Sequence, residues 1–441
     1  MQLNKLCAAA ILLALLAADA TAAPSIVRLR KADGRWQLFV NQKPFYIKGG
    51  GLEFGSQEEL AAHGGNSFRT WRTDNGIETG REILDRAQSN GLYVTMGIDL
   101  TRERQGFDYN DSAAVAQQLA DVQRQVLEYK DHPALLMWAI GNELNLNARN
   151  PKVWDAVNEI SKMIHRIDPN HPTLTPLSGF SGQLINSVRS HAPDLDLVGI
   201  QMYADIVKLP AYLKKSGYDG AYIVTEWGAT GHWEVPKTDW GAPIENDSTT
   251  KANSYLTRYQ EVIAKDTTQC LGSYVFLWGQ KQERTPTWYG MFLKSGEETA
   301  SVDALHYVWN GKWPSNRSPE LKGAWLDGKN AYQNVRLKSG RNYTAKVTAD
   351  DPDGDPLTYR WVIMSESNAK TTGGDRESEP KSWPALIRQA GHSEITLSAP
   401  PQPGAYRLFA YVFDNHRHAA HVNIPFYVDK SEVVSASNNI P

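Results

Sequence analysis

The feature that most constrains this chain is a rhythm. Short apolar runs at 46–48, 67–70, 93–98, 135–140, 173–175, 197–201, 222–225 and 272–277 alternate with helical patterns. Strands separated by helices are joined by crossovers, and crossovers return the chain so that successive strands lie parallel. Eight such units in under about 300 residues predict a closed (β/α)8 barrel, an α/β fold. An open doubly wound sheet is the alternative. It would place a glycine-rich phosphate loop after its first strand. "GGGLEFG" stands there, without the GxGxxG spacing or the later acidic residue that a nucleotide site needs. Helix signals fall between the runs. Ser56 with Glu59 three residues later has the capping-box pattern, Gly91 is placed to end the following helix, and Asn150-Pro151 opens another.

The flanks differ from this middle. Residues 26–48 alternate like a short β-hairpin, with turns at Asp33-Gly34 and at Asn41 to Pro44. After about residue 315 the linker-like "WPSNRSPELKG" gives way to short β patterns such as "GAYRLFAYVFDN", read as a small antiparallel immunoglobulin-like or cadherin-like sandwich. The expected organisation is a barrel over 23–315, a sandwich over 325–430 and a tail over 431–441. The first 22 residues read as a secretory signal. Lys5 precedes the apolar run from Ala8 to Ala18, which is too short to span a bilayer, and Ala20-Thr21-Ala22 is a small-x-small cleavage site. The expectation is an exported protein, periplasmic or secreted, with no membrane segment after cleavage. Cys270 is then the one cysteine left, so the core must hold without a disulfide, and a buried inert thiol is expected.

A net charge of -3 implies neither nucleic acid nor an anionic membrane as partner. Fourteen Trp and 19 Tyr supply many flat apolar faces of the kind sugar rings pack against. In barrel enzymes, chemistry sits at the C-terminal ends of the strands. Those ends carry Arg69, Trp71 and Arg72 on strand two, Asp99 on three and Asn142-Glu143 on four. Gln201 and Tyr203 end strand six, Glu226-Trp227 strand seven and Trp278 strand eight. Glu143 and Glu226 come from opposite sides of the mouth. Hydrolysis of a glycosidic bond needs such a pair: one protonated acid for the leaving oxygen and one carboxylate at the anomeric carbon. The scattered histidines show no zinc spacing, so neither metal nor cofactor is expected. Asp351, Asp353 and Asp355 in "DDPDGDP" hint at calcium but lack the twelve-residue loop and closing glutamate, and an acidic turn between strands is expected.

"WAIGNE" followed by "VTEWG" resembles the clan A glycoside hydrolases. Within the clan, "DGRWQLFVNQKPFYIKGGG" and "YKDHPALLMWAIGNE" are similar to the catalytic domain of glycoside hydrolase family 2. "GGNSFRTWRTDNG" and "NGLYVTMGIDL" are similar to the β-1,3-glucanosyltransferases of family 72. The resemblance covers roughly residues 30–310. It implies that Glu143 is the acid/base, that Glu226 is the nucleophile of a retaining double displacement, and that Asn142 bonds the sugar 2-hydroxyl. It also implies that Arg69 and Tyr203 lie near Glu226 and that Trp278 is the sugar platform, with Trp71 and Trp227 as further substrate contacts. The substrate is then an oligo- or polysaccharide. Family 2 enzymes carry β domains before the barrel; here only the hairpin stands there. Transglycosylation by the same two glutamates is the near alternative, and a non-catalytic carbohydrate-binding or assembly protein is the alternative of another class.

Overall fold

A computed structural model describes residues 23–371 and 373–430. The signal segment at 1–22 and the tail at 431–441 lie outside the described residues. The chain opens with an antiparallel sheet of β1 (Val27–Ala32), β2 (Arg35–Val40) and β3 (Lys43–Phe45). This is one strand more than the expected hairpin, because Asn41 and Gln42 both take positive φ and turn the chain straight back. Val27, Leu38 and Val40 pack against Ile47, Leu136, Leu197, Ile223 and Leu271, near the starts of the barrel strands. The sheet therefore plugs the end of the barrel opposite the mouth.

The barrel strands are β4 (Ile47–Gly51), β5 (Ser67–Arg69), β6 (Tyr93–Ile98), β7 (Leu135–Ile140), β8 (Thr173–Ser178), β9 (Leu197–Gln201), β10 (Tyr222–Glu226) and β11 (Cys270–Val275). All pair in parallel in chain order, and β11 closes onto β4. The helices are α1 (Gln57–Ala62), α2 (Gly80–Ser89), α3 (Ser112–Tyr129), α4 (Lys152–Ile167), α5 (Gly182–His191), α6 (Leu209–Ser216), α7 (Ser248–Arg258) and α8 (Ala300–Asn310). Ser56 Oγ accepts from Glu59 N at 3.0 Å, and Thr79 with Glu82 forms the reciprocal capping box that starts α2. The glycine run at 49–51 is strand, not a phosphate loop. A Cβ on Gly49 would lie 2.5 Å from the Tyr274 ring, and Cβ atoms on Gly50 and Gly51 would each lie 2.7 Å from Trp278 or Trp71. These glycines make room for three large aromatic residues. Cys270 is buried at the start of β11, and burial pushes its thiol up to about 12.

The C-terminal sandwich stacks two four-stranded sheets. One orders β12 (Glu320–Leu326), β14 (Asn342–Asp350), β17 (Glu394–Ser398) and β16 (Ile387–Arg388). The other orders β13 (Val335–Lys338), β19 (Ala419–Asp429), β18 (Gly404–Phe413) and β15 (Thr358–Ser365). Trp361, Leu397, Leu408 and Phe426 fill the space between them. β12 takes up part of the stretch read as linker, because Leu321 and Leu326 are buried on the sandwich. The "DDPDGDP" segment is the turn from β14 to β15. Asp351 Oδ1 accepts from the Asp353 and Asp355 amides, and Asp353 Oδ2 turns to Arg317 N. Asp414 joins Asp351 and Asp355 in place of Asp353.

Barrel and sandwich share a buried polar knot. Glu245 accepts from Lys251 Nζ on α7 (2.6 Å), Thr285 Oγ1 (2.6 Å), Thr287 Oγ1 (2.9 Å) and Asn423 Nδ2 on β19 (2.6 Å). Both members of the ion pair are at most 5% exposed. Deleting one partner strands a buried charge, which costs about 3–5 kcal/mol. Glu245→Ala is therefore expected to lower the unfolding midpoint in urea sharply, while Glu245→Ala with Lys251→Met recovers part of the loss. Equal stability of wild type and Glu245→Ala in equilibrium unfolding would contradict this role.

Candidate active site

The turn after β7 explains how one strand end presents two polar side chains. Gly141 takes φ +69, and a Cβ there would lie 2.6 Å from Leu144 Cδ1. Glu143 is also left-handed, at φ +50, an uncommon state for a residue with a side chain. The neighbouring chain holds it there: Glu143 N donates to Pro176 O at 3.0 Å. Asn145 does not face the substrate space. Its side chain bonds Ser178 O (2.8 Å) and Ser178 N (3.0 Å), locking the end of β8 to this turn.

Glu226, at the end of β10, is 6% exposed and receives three donors. Arg69 Nη1 (3.0 Å) and Trp71 Nε1 (2.9 Å) bond Oε1, and Tyr203 Oη (2.9 Å) bonds Oε2. Arg69, with a fully buried side chain, also donates from Nη2 to Asn142 Oδ1 at 2.8 Å. Gln201 Nε2 reaches the same oxygen at 2.9 Å. With Oδ1 held by two donors, the Asn142 NH2 is the end left to face the cavity. Strand ends β5, β7, β9 and β10 thus converge on one carboxylate and one amide.

Glu143 is the electrostatic opposite of a charge-stabilised acid. Burial and the Glu226 charge push its carboxyl up to about 7, against the lowering effects of the Ser178 hydrogen bond, Arg69 and Arg102. Burial holds the Tyr203 hydroxyl well above its usual range, so it serves Glu226 as a donor at any physiological pH. One acid that keeps its proton near neutrality, in the same cleft as one carboxylate held by three donors, is a pair able to assist cleavage at an acetal carbon.

The structure brings Arg69, Trp71, Asn142, Glu143, Tyr203 and Glu226 together, all but Arg69 lining one cleft of about 1720 Å³. It does not bring Trp227 there. That ring is fully buried against Tyr255 and Tyr259, on the side away from the mouth. Trp278 does line the cleft, but as a fully buried ring: its Nε1 donates to Ser56 O at 3.0 Å and the ring packs on Phe292 and Trp309, so it offers no open face for stacking. The aromatic ring at the centre of the mouth is Phe276, edge-on to Trp71 (5.8 Å), Tyr203 (6.0 Å) and Tyr289 (5.5 Å). Tyr289 and Phe276 both line the cleft and neither is singled out by its sequence context.

Beyond the centre the cleft has two further walls. The loop after β10 presents Trp233, 52% exposed and edge-on to Tyr203 at 5.4 Å. Glu234 anchors that loop by accepting from the amides of Ala204 (2.9 Å), Asp205 (3.1 Å) and Gly231 (2.8 Å). The second wall comes from the sandwich: Gly373, Gly374, Asp375, Arg376 and Glu377 line the same cleft. Asp375 pairs with Arg104 (3.1 Å), and Glu377 accepts from Arg284 N (2.8 Å). A Cβ on Gly373 would touch the Trp233 ring at 3.5 Å. Sandwich and barrel therefore share the substrate space.

The class this architecture defines is the (β/α)8 barrel with attached β domains. No protein-family model matches the chain, and no curated protein does. Solved structures do. The β-D-glucuronidase of Dictyoglomus thermophilum covers 65% of this chain and 54% of its own, with 18% identity and a TM-score of 0.50. The Bifidobacterium dentium β-glucuronidase complexed with coumarin-3-O-glucuronide covers 65% and 49%, at 17% identity and 0.51. Bacteroides uniformis β-glucuronidase 2, covalently bound to cyclophellitol-6-carboxylate aziridine, covers 92% and 48%, at 12% identity and 0.51. The likeness is one of fold, the barrel that the family 2 resemblance implies. This chain spans about half the length of those proteins: 54%, 49% and 48%.

Proposed function

We propose that the protein is a β-glycosidase that works by retaining double displacement on an oligo- or polysaccharide. The observation that carries this reading is the pairing of Glu226, fixed by Arg69, Trp71 and Tyr203, with Glu143, whose carboxyl is pushed up to about 7 in the same cleft. In the first step the Glu226 carboxylate attacks the anomeric carbon while Glu143 gives its proton to the leaving oxygen. In the second, Glu143 takes a proton from water, which displaces Glu226. Asn142 NH2 bonds the 2-hydroxyl. The Bacteroides uniformis neighbour supports a covalent route on this fold, since it is covalently bound to cyclophellitol-6-carboxylate aziridine. The cleft exceeds the roughly 300–1,000 Å³ of a drug-sized site, which favours a substrate longer than one sugar. Export to the periplasm or medium belongs to the same reading and predicts a mature N-terminus just after Ala22.

The test is a product profile over β-linked glucans, mannans, galactans and glucuronides, read by mass spectrometry, with the first-formed anomer read by proton NMR. Shorter products of retained configuration are expected. Products longer than the input would reassign the protein as a transglycosylase, and a first product of inverted configuration would remove the covalent step. Trp233 gives a finer prediction. Trp233→Ala is expected to raise KM for the oligosaccharide substrate about 5- to 10-fold through loss of one aromatic stacking surface. Its turnover of an aryl monoglycoside should stay unchanged; a loss on both substrates alike would assign Trp233 to loop folding instead.

A further inference from the structure

Outside the cleft, where the barrel meets the sandwich, a second group of ionisable side chains is enclosed. Glu298 lies just before α8 in an extended segment joined to the sandwich: its N–H donates to Arg417 O (2.9 Å) and its carbonyl accepts from Ala419 N (2.8 Å). Asp303 is in the first turn of α8, and His418 immediately precedes β19. Glu298 is 7% exposed and Asp303 2%. One ligand atom from each of Glu298, Asp303 and His418 lies within 4.8 Å of the other two. His418 Nε2 stands 3.3 Å from Glu298 Oε2, close to the edge of a tetrahedron of ligands about 2.1 Å from a central ion.

The hydrogen bonding within this group is incomplete. Asp303 Oδ2 accepts from Ser318 N at 2.7 Å, but its buried Oδ1 has no donor, and Glu298 Oε2 has beside it two imidazoles, His63 Nε2 at 3.2 Å and His418 Nε2 at 3.3 Å. Buried polar atoms are nearly always partnered, so the orphaned Asp303 Oδ1, on a carboxylate with a ligand atom within 4.8 Å of the other two, calls for an explanation. Among the described residues no lysine or arginine forms an ion pair with Glu298, Asp303 or Asp414; imidazoles alone do so, His63 and His418. His418 Nδ1 lies 3.0 Å from His416 O, 3.4 Å from Asp414 Oδ2 and 2.8 Å from Asn316 Nδ2. If Nδ1 accepts from Asn316, or if the surrounding carboxylates keep both ring nitrogens protonated, Nε2–H serves Glu298 and Asp303 Oδ1 stays orphaned. If Nδ1 gives its proton to the carbonyl and Asp414, the Nε2 lone pair faces both carboxylates, as it does in a metal-ligating histidine.

We propose that Glu298, Asp303 and His418 bind one divalent transition-metal ion of the zinc class, which staples α8 to the sandwich. One imidazole nitrogen with two carboxylate oxygens suits zinc; calcium and magnesium take oxygen donors alone. Water completes the coordination, and His63 Nε2, 3.2 Å from Glu298 Oε1, hydrogen-bonds the ligating carboxylate. The full-length mature protein, made without a histidine tag, is stripped with EDTA, loaded with zinc chloride, gel-filtered and assayed for bound metal by mass spectrometry. Thermal unfolding is followed with and without zinc. Expected are about one zinc per chain, a midpoint several degrees higher with zinc, and at least a tenfold weaker zinc affinity in both Asp303→Asn and His418→Gln. Asp303→Asn preserves shape and an acceptor for Ser318, and His418→Gln retains a donor, so folded variants of unchanged circular dichroism are available. No bound zinc in the wild type, equal binding in either variant, or loss only in the distant Asp355→Asn control would overturn the proposal.

Discussion

Glu226→Ala is expected to lower kcat/KM by at least about 10,000-fold, because in the proposed double displacement it removes the group that forms the covalent intermediate. The expectation rests on the donors that surround that carboxylate. Arg69 Nη1, Trp71 Nε1 and Tyr203 Oη all donate to it, and the remaining groups of the site supply no second carboxylate in that position. The alanine variant also leaves the buried Arg69 guanidinium without its ion partner, so reduced stability accompanies the lost rate. Glu226→Gln separates the two effects: it keeps shape and an acceptor for Arg69, and it should be stable yet equally inactive. Sodium azide gives a sharper reading. In Glu226→Ala it enters the space the carboxylate vacated and yields a glycosyl azide of inverted configuration, with turnover partly restored. A glutamine variant retaining a tenth or more of wild-type activity would reject Glu226 as nucleophile, and azide products of retained configuration would exchange the roles of the two glutamates.

The barrel was legible in sequence because parallel strands covered on both faces read as uninterrupted apolar runs. "LLMWAI" and "LVGIQ" could hardly be anything else once helices flanked them. The end of β4 was harder to read, since Gly49 to Gly51 carry no apolar signal and owe their identity to Tyr274, Trp278 and Trp71, far away in sequence. The polar site residues were legible as types at strand ends, where the fold leaves them few directions in which to point. The aromatic residues were not. Trp227 and Trp278 were expected as substrate contacts from their places at strand ends and from the family resemblance, yet the chain turns as it leaves β10 and β11, so Trp227 is buried away from the cleft and Trp278 lines it only as a buried ring. Phe276 holds the central place instead. The sandwich wall at 373–377 was beyond reach for another reason. Glycines and mixed charges in a loop have no periodicity, and their meeting with Trp233, Arg104 and Arg284 is purely tertiary.

That shared cleft changes what the sandwich does. A loop tied by Asp375–Arg104 and Glu377–Arg284 bonds to the barrel cannot move freely, so the far wall is set by two domains at once. The knot at Glu245 fixes the same pair of domains from behind, with Asn423 of β19 inside it. Altered packing in the sandwich would therefore be read in substrate length preference before it is read in the chemistry at Glu226.

In the proposed mechanism the chemistry is set by the proton on Glu143. Burial and the facing Glu226 charge place its carboxyl at about 7, so the acid form is present below that pH and is lost as pH rises through it. The kcat/KM profile should accordingly fall on an alkaline limb centred near pH 7. In the proposed double displacement, formation of the glycosyl–Glu226 ester removes the neighbouring negative charge and the Glu143 carboxyl drops, which turns the acid into the base needed to activate water. Glu226→Gln mimics that loss of charge. A carbon-13 NMR titration of labelled glutamate in this variant should find the Glu143 carboxyl moved below its wild-type position. Glu143→Gln completes the argument. It should slow cleavage of a sugar leaving group about 100- to 10,000-fold, leave a dinitrophenyl glycoside, which needs no proton, much less affected in its first step, and erase the alkaline limb. If the limb persists in Glu143→Gln, or if both leaving groups suffer alike, the proton that drives cleavage comes from another residue.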